Sequence, residues 1–384
     1  MMSFGGGWFF VAQSEAISVM NKDIKLPGLG SYMAQSIERG DNNAALWAVV
    51  AMIVLIVASD QLVWRPMLAW ADKFKVELTE SATPATSWVY NLLRGAYLFT
   101  WISERIWQPV IDTLFRASSP AARRPAVVNA SAKKLLGRGV AIVASIWMGY
   151  EVITALVAAV AALHGALTAS TFGHIVWLGF LTALRVAAMT VLATLVWTPV
   201  GVWIGFHPRV ARFAQPLAQI GASFPVNMTF PIVVGFFVAS HVTLNWGSIL
   251  LIAMGTQWYI LFNVIAGAMA IPNDLQEAAR IYGLRRWDLW RTLILPAIFP
   301  FWVTGACTAA GGAWNASIVA ELATWGDTTL KADGLGAYIA SVTKTGDTAL
   351  IIASIAVMSL FVVLMNKFIW RRLYAYAERR FKLD

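Results

Sequence analysis

"NDLQEAARIYGLRRWDLWRTLILP", Asn273 to Pro296, is polar, basic and helix-forming, yet it lies between two strongly apolar runs. Such an alternation fits a membrane surface, where apolar runs cross the bilayer and a polar segment joins them in water. Composition agrees. Hydrophobic residues make up 59% of the 384 positions and charged residues 13%, where a soluble domain carries about a quarter charged residues. Mean hydropathy is +0.65. The long apolar runs therefore read as bilayer spans, not as one aqueous core. The net charge of +9 then reflects Lys and Arg held on the cytoplasmic side, and not a nucleic-acid partner. The single cysteine, Cys307, excludes an internal disulfide pair and a cysteine-based zinc site. His164, His174, His207 and His241 lie near membrane edges without metal-ligand spacing, so no metal site is expected. The start, "MMSFGGGWFFVAQSEAISV", has no basic n-region and no clear h-region, so no cleavable signal peptide is expected.

Seven spans are predicted, near residues 44–64, 139–163, 176–205, 226–241, 247–271, 292–314 and 347–370. The run at 226–241 is short and follows Pro225. The stretch 85–115 is aromatic but carries Arg94, Glu104 and Arg105, which predicts an interfacial amphipathic helix. Segments 65–138, 206–224, 272–291 and 367–384 fall on one side and hold about 23 of the 29 Lys and Arg. That side is predicted to be cytoplasmic, and it includes the C-terminal tail.

An internal repeat runs through the chain. "GGGWFFVAQSEAISVMNKDIKLPGLGSYMAQSIERGD" aligns without a gap on "GGAWNASIVAELATWGDTTLKADGLGAYIASVTKTGD". Trp8, Glu15, Lys25, Gly28, Leu29, Gly30, Tyr32 and Asp41 fall on Trp314, Glu321, Lys331, Gly334, Leu335, Gly336, Tyr338 and Asp347. Trp64-Arg65 continues the match onto Trp370-Arg371. An even number of crossings separates the copies, so the repeat is parallel. What precedes "GGAW" in the second copy has no counterpart before the first. A truncated chain, a start placed downstream of the real one, or a partner that supplies the rest would each account for this.

In the opening stretch, Asp274 and Glu277 have the spacing of a capping box. Gly283 supplies a left-handed stop about two turns later, and Ala278 and Ala279 leave a slim face. Glu277-Ala278-Ala279, Gly283 and Leu295-Pro296 at this spacing resemble the EAA loop of ABC-importer permeases, with Leu293 where that pattern has isoleucine. The wider run including "GGAWNASIVAE" most resembles the nitrate/sulfonate/taurine-type permeases, some of which are fused tandem modules. The resemblance implies an all-α polytopic membrane protein, in which the C-terminal part of one module precedes a complete six-span, MetI-like permease module. The divisions are then 1–72 for the fragment, 73–135 for a cytoplasmic connector and 136–384 for the complete module.

By that resemblance Glu277, Ala278, Ala279, Gly283, Leu295 and Pro296 form the ATPase-coupling site, and the chain is the translocation subunit of an ATP-driven importer of a small solute such as nitrate, a sulfonate or taurine. No catalytic residue is expected. No G-x-x-x-x-G-K-[ST] occurs, so ATP and Mg are expected on separate ABC ATPase subunits. The other implied partners are a periplasmic or lipid-anchored substrate-binding protein, a second permease module and membrane lipid, in a bacterial inner membrane. A secondary transporter or channel, or a non-transporting scaffold or sensor, would carry the same spans and repeat; only the coupling loop separates these classes.

Within the spans, Glu151 and Arg185 lie at similar depth on antiparallel neighbours, roughly 15–18 Å from one surface at 1.5 Å per residue. A structural ion pair between them is expected, since lone charges are costly there; the alternative places Arg185 on an anionic substrate. The small-residue run "GACTAAGGAW" suits close helix packing, or a substrate path with Asn315 and Ser317 as polar contacts. Glu15 and Glu321 are expected at the external side, as solvated loop acids or contacts to a binding protein.

Overall fold

The computed structural model describes residues 14–19, 22–71, 168–325 and 328–381, with a few positions around 7–11 and 145–154. The order is β1 (Ala16–Val19), β2 (Lys22–Lys25), α1 (Leu29–Glu38), α2 (Asn42–Ser59), a π-helical turn (Asp60–Trp64) and α3 (Arg65–Ala71). Then follow α4 (Ala169–Gly205), α5 (Pro208–Ser223), α6 (Phe230–Ala239), α7 (Leu244–Met269), α8 (Asn273–Ile281) and α9 (Arg286–Leu289). A second π turn (Trp290–Ile294) leads into α10 (Leu295–Ala320), β3 (Leu322–Trp325), β4 (Thr328–Lys331), α11 (Leu335–Thr345), α12 (Thr348–Met365), a third π turn (Asn366–Trp370) and α13 (Arg371–Arg380). By compactness, residues 1–54 and 162–384 form one unit and 55–161 another. The predicted interfacial helix at 85–115, most of the connector and most of the span at 139–163 lie outside the described residues.

The repeat is structural as well as sequential. β1, β2, α1, α2, the first π turn and α3 correspond in order to β3, β4, α11, α12, the third π turn and α13. Both hairpins are antiparallel, Ala16 pairing with Lys25 and Leu322 with Lys331. Gly40 and Gly346 are both left-handed, at φ 65° and 79°. The following aspartates both cap a helix: Asp41 accepts from Ala44 N at 3.0 Å and Asp347 from Leu350 N at 3.1 Å. A left-handed glycine ends one helix and a carboxylate starts the next, so the turn between helices is fixed by two residues in each copy.

Among the described residues, five helical stretches are long and apolar enough to cross a membrane: Asn43–Met67, Ala169–Gly205, Leu244–Met269, Arg286–Ala320 and Thr348–Arg380. The expected short span at 226–241 is different. Pro208–Ser223 and Val226–Ala239 are joined by a 79° bend, and count as one broken span or a re-entrant loop. Pro225 explains the break: it forces Phe224 into an extended conformation, with ψ 128°, and ends α5 there. Arg286–Ala320 begins before the predicted 292. Pro296 cannot donate to Thr292 and its ring crowds that carbonyl, and the wider π turn just before it keeps the helix continuous.

The packed centre lies among α4, α7 and α10, where Val186, Met189, Ile252, Ile260, Ala306 and Ala309 are buried together. Small residues set the spacing. A Cβ on Gly305 would overlap the Tyr259 carbonyl and the Asn263 side chain, so α10 and α7 approach with almost no side chain between them. One face of "GACTAAGGAW" thus packs: Gly305, Ala306, Ala309, Ala310 and Ala313 are buried. The opposite face is uncovered, and presents Thr304, Thr308, Gly311 and Asn315.

Candidate functional site

α8 carries Glu277, Ala278 and Ala279 and starts at Asn273, with extended Pro272 (ψ 141°) before it and no side-chain cap. The expected capping box does not form. Proline fixes the start two residues earlier, at Asn273 in place of Leu275, which places Asp274 inside the first turn, where its charge still favours the helix dipole. The C-terminal end follows the expectation. Gly283 is left-handed at φ 69°; its N–H donates to Arg280 O at 3.0 Å, and Leu284 N–H donates to Ala279 O at 2.9 Å. These are the two bonds of a Schellman motif, so α8 ends at a defined angle.

Ala279 is buried on the inner side of α8 and Ala278 half-buried, while Glu277 and Gly283 are exposed. Ile281 and Tyr282 stand 83% and 81% exposed at the loop's tip, and Trp287 67%. This apolar ridge was missed in the sequence, where Ile281 and Tyr282 read as ordinary helix residues. Leu295 and Pro296 belong to the beginning of α10, beyond the π turn, and not to the exposed loop. Phe299 on α10 meets Tyr376 on α13 and Phe381, with ring centroids at 5.6 and 5.3 Å. The C-terminal helix therefore lies on the same side as the loop.

At the other end of α10 is a buried polar cluster. Glu321 follows α10 directly and is 0% exposed, so it is neither a solvated loop acid nor an exposed contact. Its carboxylate accepts from Arg185 Nη1 (2.9 Å), Thr182 Oγ1 (2.9 Å), Gly336 N (2.8 Å) and Ala337 N (3.3 Å). The last two amides belong to the first turn of α11, whose dipole favours a negative charge. Gly334 and Gly336 make room: a Cβ on Gly334 would overlap the carboxylate, and one on Gly336 the Ser317 carbonyl. Burial pushes the Glu321 carboxyl up, while Arg185, Thr182 and the Ala337 amide pull against it.

Arg185 is thus paired with Glu321, and not with Glu151 as expected; Glu151 is exposed. Depth along a helix fixes which charges share a level, but not which way they face. The other two Arg185 nitrogens are also engaged: Nε donates to Asn245 O (3.1 Å) and Nη2 to Asn245 Oδ1 (3.0 Å). With all three nitrogens engaged, the guanidinium ties α4 to α7 through Asn245 and to the end of α10 through Glu321. Asn245 extends the cluster to the surface, accepting from Asp333 N (2.7 Å) and donating to Asp333 Oδ2 (3.0 Å). Asn245→Ala is expected to cost about 1–3 kcal/mol, because it removes the Oδ1 that accepts from Arg185 Nη2 and leaves only the backbone carbonyl on Nε; denaturant titration of the purified protein in detergent checks this.

Ser317 is 0% exposed and its hydroxyl donates to Trp314 O at 2.7 Å, so it is a packing residue and not a path contact. Asn315 stays on the uncovered stripe of α10. Thr308 and Thr304 on that stripe donate back to Thr304 O and Pro300 O, at 2.8 and 3.1 Å, which leaves their oxygens available as acceptors.

Residues 197–383 match the family described as binding-protein-dependent transport system inner membrane component. Among similar proteins, the nitrate import permease protein NrtB of Leptolyngbya laminosa is 28% identical over 182 residues, covering 47% of this chain and 62% of that protein. NrtB of Synechococcus elongatus is 30% identical over 156 residues, 40% of this chain and 52% of that protein. The taurine transport system permease protein TauC of Escherichia coli (strain K12) is 25% identical over 182 residues, 47% of this chain and 62% of that protein. The chain spans less than two thirds of the length of these three relatives.

Proposed function

We propose that this chain is the membrane-spanning permease subunit of an ATP-driven importer, a reading supported by the match of residues 197–383 to the binding-protein-dependent transport system inner membrane component family. The observation that carries this reading is α8. It is a short exposed helix with a slim inner face, a fixed Schellman end and an apolar ridge at Ile281 and Tyr282, wired through α9 and a π turn into α10. Such a ridge suits insertion into a cleft on a separate ATPase subunit. ATP and Mg act there and not on this chain. Drawing two ATPase subunits together would pull α8 and tilt the attached spans. The coupling free energy comes from contacts that differ between the two states.

In this reading the loop and α13 face the cytoplasm, and the β3–β4 hairpin faces the external substrate-binding protein. The uncovered Thr304, Thr308, Gly311 and Asn315 stripe lines the path against a second permease module. Residues 1–72 are the C-terminal part of such a module, and 136–384 a whole one. The names of the relatives, nitrate and taurine permeases, support a small anion as cargo.

The test is reconstitution of the purified chain with its ATPase and binding protein in proteoliposomes. ATP-dependent uptake of labelled nitrate or taurine is expected, and Ala278→Trp is expected to lower it roughly tenfold or more, the equivalent of about 1.4 kcal/mol of lost docking. Uptake without the ATPase would make the chain a secondary transporter. ATP hydrolysis indifferent to substrate, with no uptake, would make it a scaffold or sensor.

A further inference from the structure

The third π turn ends a membrane span with a dense group of cations. α12 runs for 18 residues from its Asp347 cap, about 27 Å at 1.5 Å per residue, and a hydrocarbon core is about 30 Å thick. The π turn Asn366–Trp370 and the first residues of α13 therefore lie at headgroup depth. Trp370 and Ala377 turn inward and are buried. Lys367, Phe368, Arg371 and Arg372 are exposed. Lys367 Nζ stands 5.8 Å and the Arg372 guanidinium carbon 5.5 Å from the centroid of the Phe368 ring, close enough for cation–π attraction to hold both beside it.

The first copy of the repeat shows that this turn does not require such a group. Gln61, Leu62 and Pro66 stand where Lys367, Phe368 and Arg372 do. Arg65, the counterpart of Arg371, is neutralised within its own turn: its Nε donates to Asp60 Oδ2 at 3.0 Å. In the second copy Asn366 stands in place of that aspartate, and the stretch from Asn366 to Arg372 carries three cations and no acid. Orientation in a membrane asks only for basic residues on one side. It does not ask them to flank an aromatic ring at the end of a span.

We propose that the foot of α12 is a binding site for an anionic phospholipid of the leaflet on the same side as the α8 loop. Lys367, Arg371 and Arg372 take the headgroup phosphate, the arginines through paired N–H donors, and Phe368 lies against the upper part of an acyl chain. A lipid fits better than a free phosphate, because the cations continue an exposed apolar column: Leu360, Val363 and Leu364 lie on α12 within two turns before Lys367. A soluble anion gains nothing from that column. Acyl chains cover it while the headgroup meets the cations, the arrangement that basic residues at the end of a span favour in an anionic leaflet. The inference rests on the chain crossing a membrane and needs neither ATP nor a transported solute, so it stands or falls separately from the transport reading.

Two measurements on the full chain test this. In native membranes, the photo-crosslinking residue p-benzoylphenylalanine replaces Ile369, which is 44% exposed beside Phe368, and the product is identified by mass spectrometry. The expected adduct is phospholipid, enriched in anionic species over the membrane as a whole. In detergent, native mass spectrometry titrates the purified chain with dioleoylphosphatidylglycerol, dioleoylphosphatidylcholine and glycerol 3-phosphate, and the first is expected to bind most tightly. Lys367→Gln with Arg372→Gln is expected to lower phosphatidylglycerol affinity about tenfold or more. Asn366→Asp removes no cation and recreates the Asp60–Arg65 pairing of the first copy, so neutralising Arg371 is expected to cost about fivefold. Arg209→Gln with Arg212→Gln on α5 removes the same charge elsewhere, and is expected to leave the affinity within about twofold. An adduct with the bulk lipid composition, a peptide of another protein or of this chain, or no adduct overturns the proposal. So does glycerol 3-phosphate binding as tightly as the lipid, an affinity indifferent to the substitutions at 366, 367 and 372, or an equal loss in the α5 variant.

Discussion

Arg185→Ala is expected to destabilise the protein by about 3–5 kcal/mol, the range for removing one partner of a buried ion pair. The reason is specific to Glu321. Its carboxylate is 0% exposed and Arg185 is the only cation that meets it among the described residues. Without the guanidinium, two amides and one hydroxyl must hold a full charge beside a membrane span, or the carboxyl must take up a proton. The substitution also strips two hydrogen bonds from Asn245, which loosens the tie between α4 and α7. Glu321→Gln is expected to cost less, since its amide oxygen can still accept from Gly336 N and from Thr182. Replacing both charges, as Arg185→Met with Glu321→Gln, is expected to recover part of the loss, because the desolvated charges leave together. Equilibrium unfolding in mixed micelles reads all four proteins. An Arg185→Ala variant as stable as the starting protein would show that the cluster is wet or that Glu321 is neutral without its partner.

The cluster also shows where the sequence stopped being informative. The repeat of Glu15 and Glu321 ahead of Gly-Leu-Gly was plain, and the structure gives its reason: the glycines admit a carboxylate to a helix start. What the linear pattern lacked was direction. Arg185 and Glu151 sit at equal depth, but depth is a projection along the helix, while partnership depends on the angle around it. The bent pair at α5 and α6 was hidden for a related reason. Pro225 announced a break, but the apolar content of 226–241 alone resembled a short span, and only the 79° turn shows that the two pieces act together. Local chemistry read more reliably. Gly283 was expected to be left-handed and is, because no other residue type stops a helix there at so little cost. Nearby, the capping box failed because Pro272 sets the helix start before Asp274 can reach the cap position.

The second large effect is expected at Gly283. Its φ of 69° lies on the side of the Ramachandran map that proline, locked near −65°, cannot enter. Gly283→Pro also removes the N–H that donates to Arg280 O, so one bond of the Schellman motif is lost and the other, from Leu284 to Ala279, loses its geometry. The site is exposed and no neighbour fills the space beside it, so the damage stays local: the spans insert and the protein purifies as before. What changes is the angle at which α8 leaves for α9 and α10. Under the coupling reading, Ile281 and Tyr282 then miss the partner cleft together. Loss of a docked apolar anchor costs about 2–4 kcal/mol, roughly 30- to 1000-fold in affinity. ATP-driven uptake in proteoliposomes and binding of the purified ATPase are expected to fall in parallel by that factor. Gly283→Asn, which tolerates the left-handed conformation and keeps the N–H, is expected to retain most of both. If Gly283→Pro binds the ATPase and transports at the original rate, the angle of α8 does not matter, and force from the ATPase enters the membrane by another route.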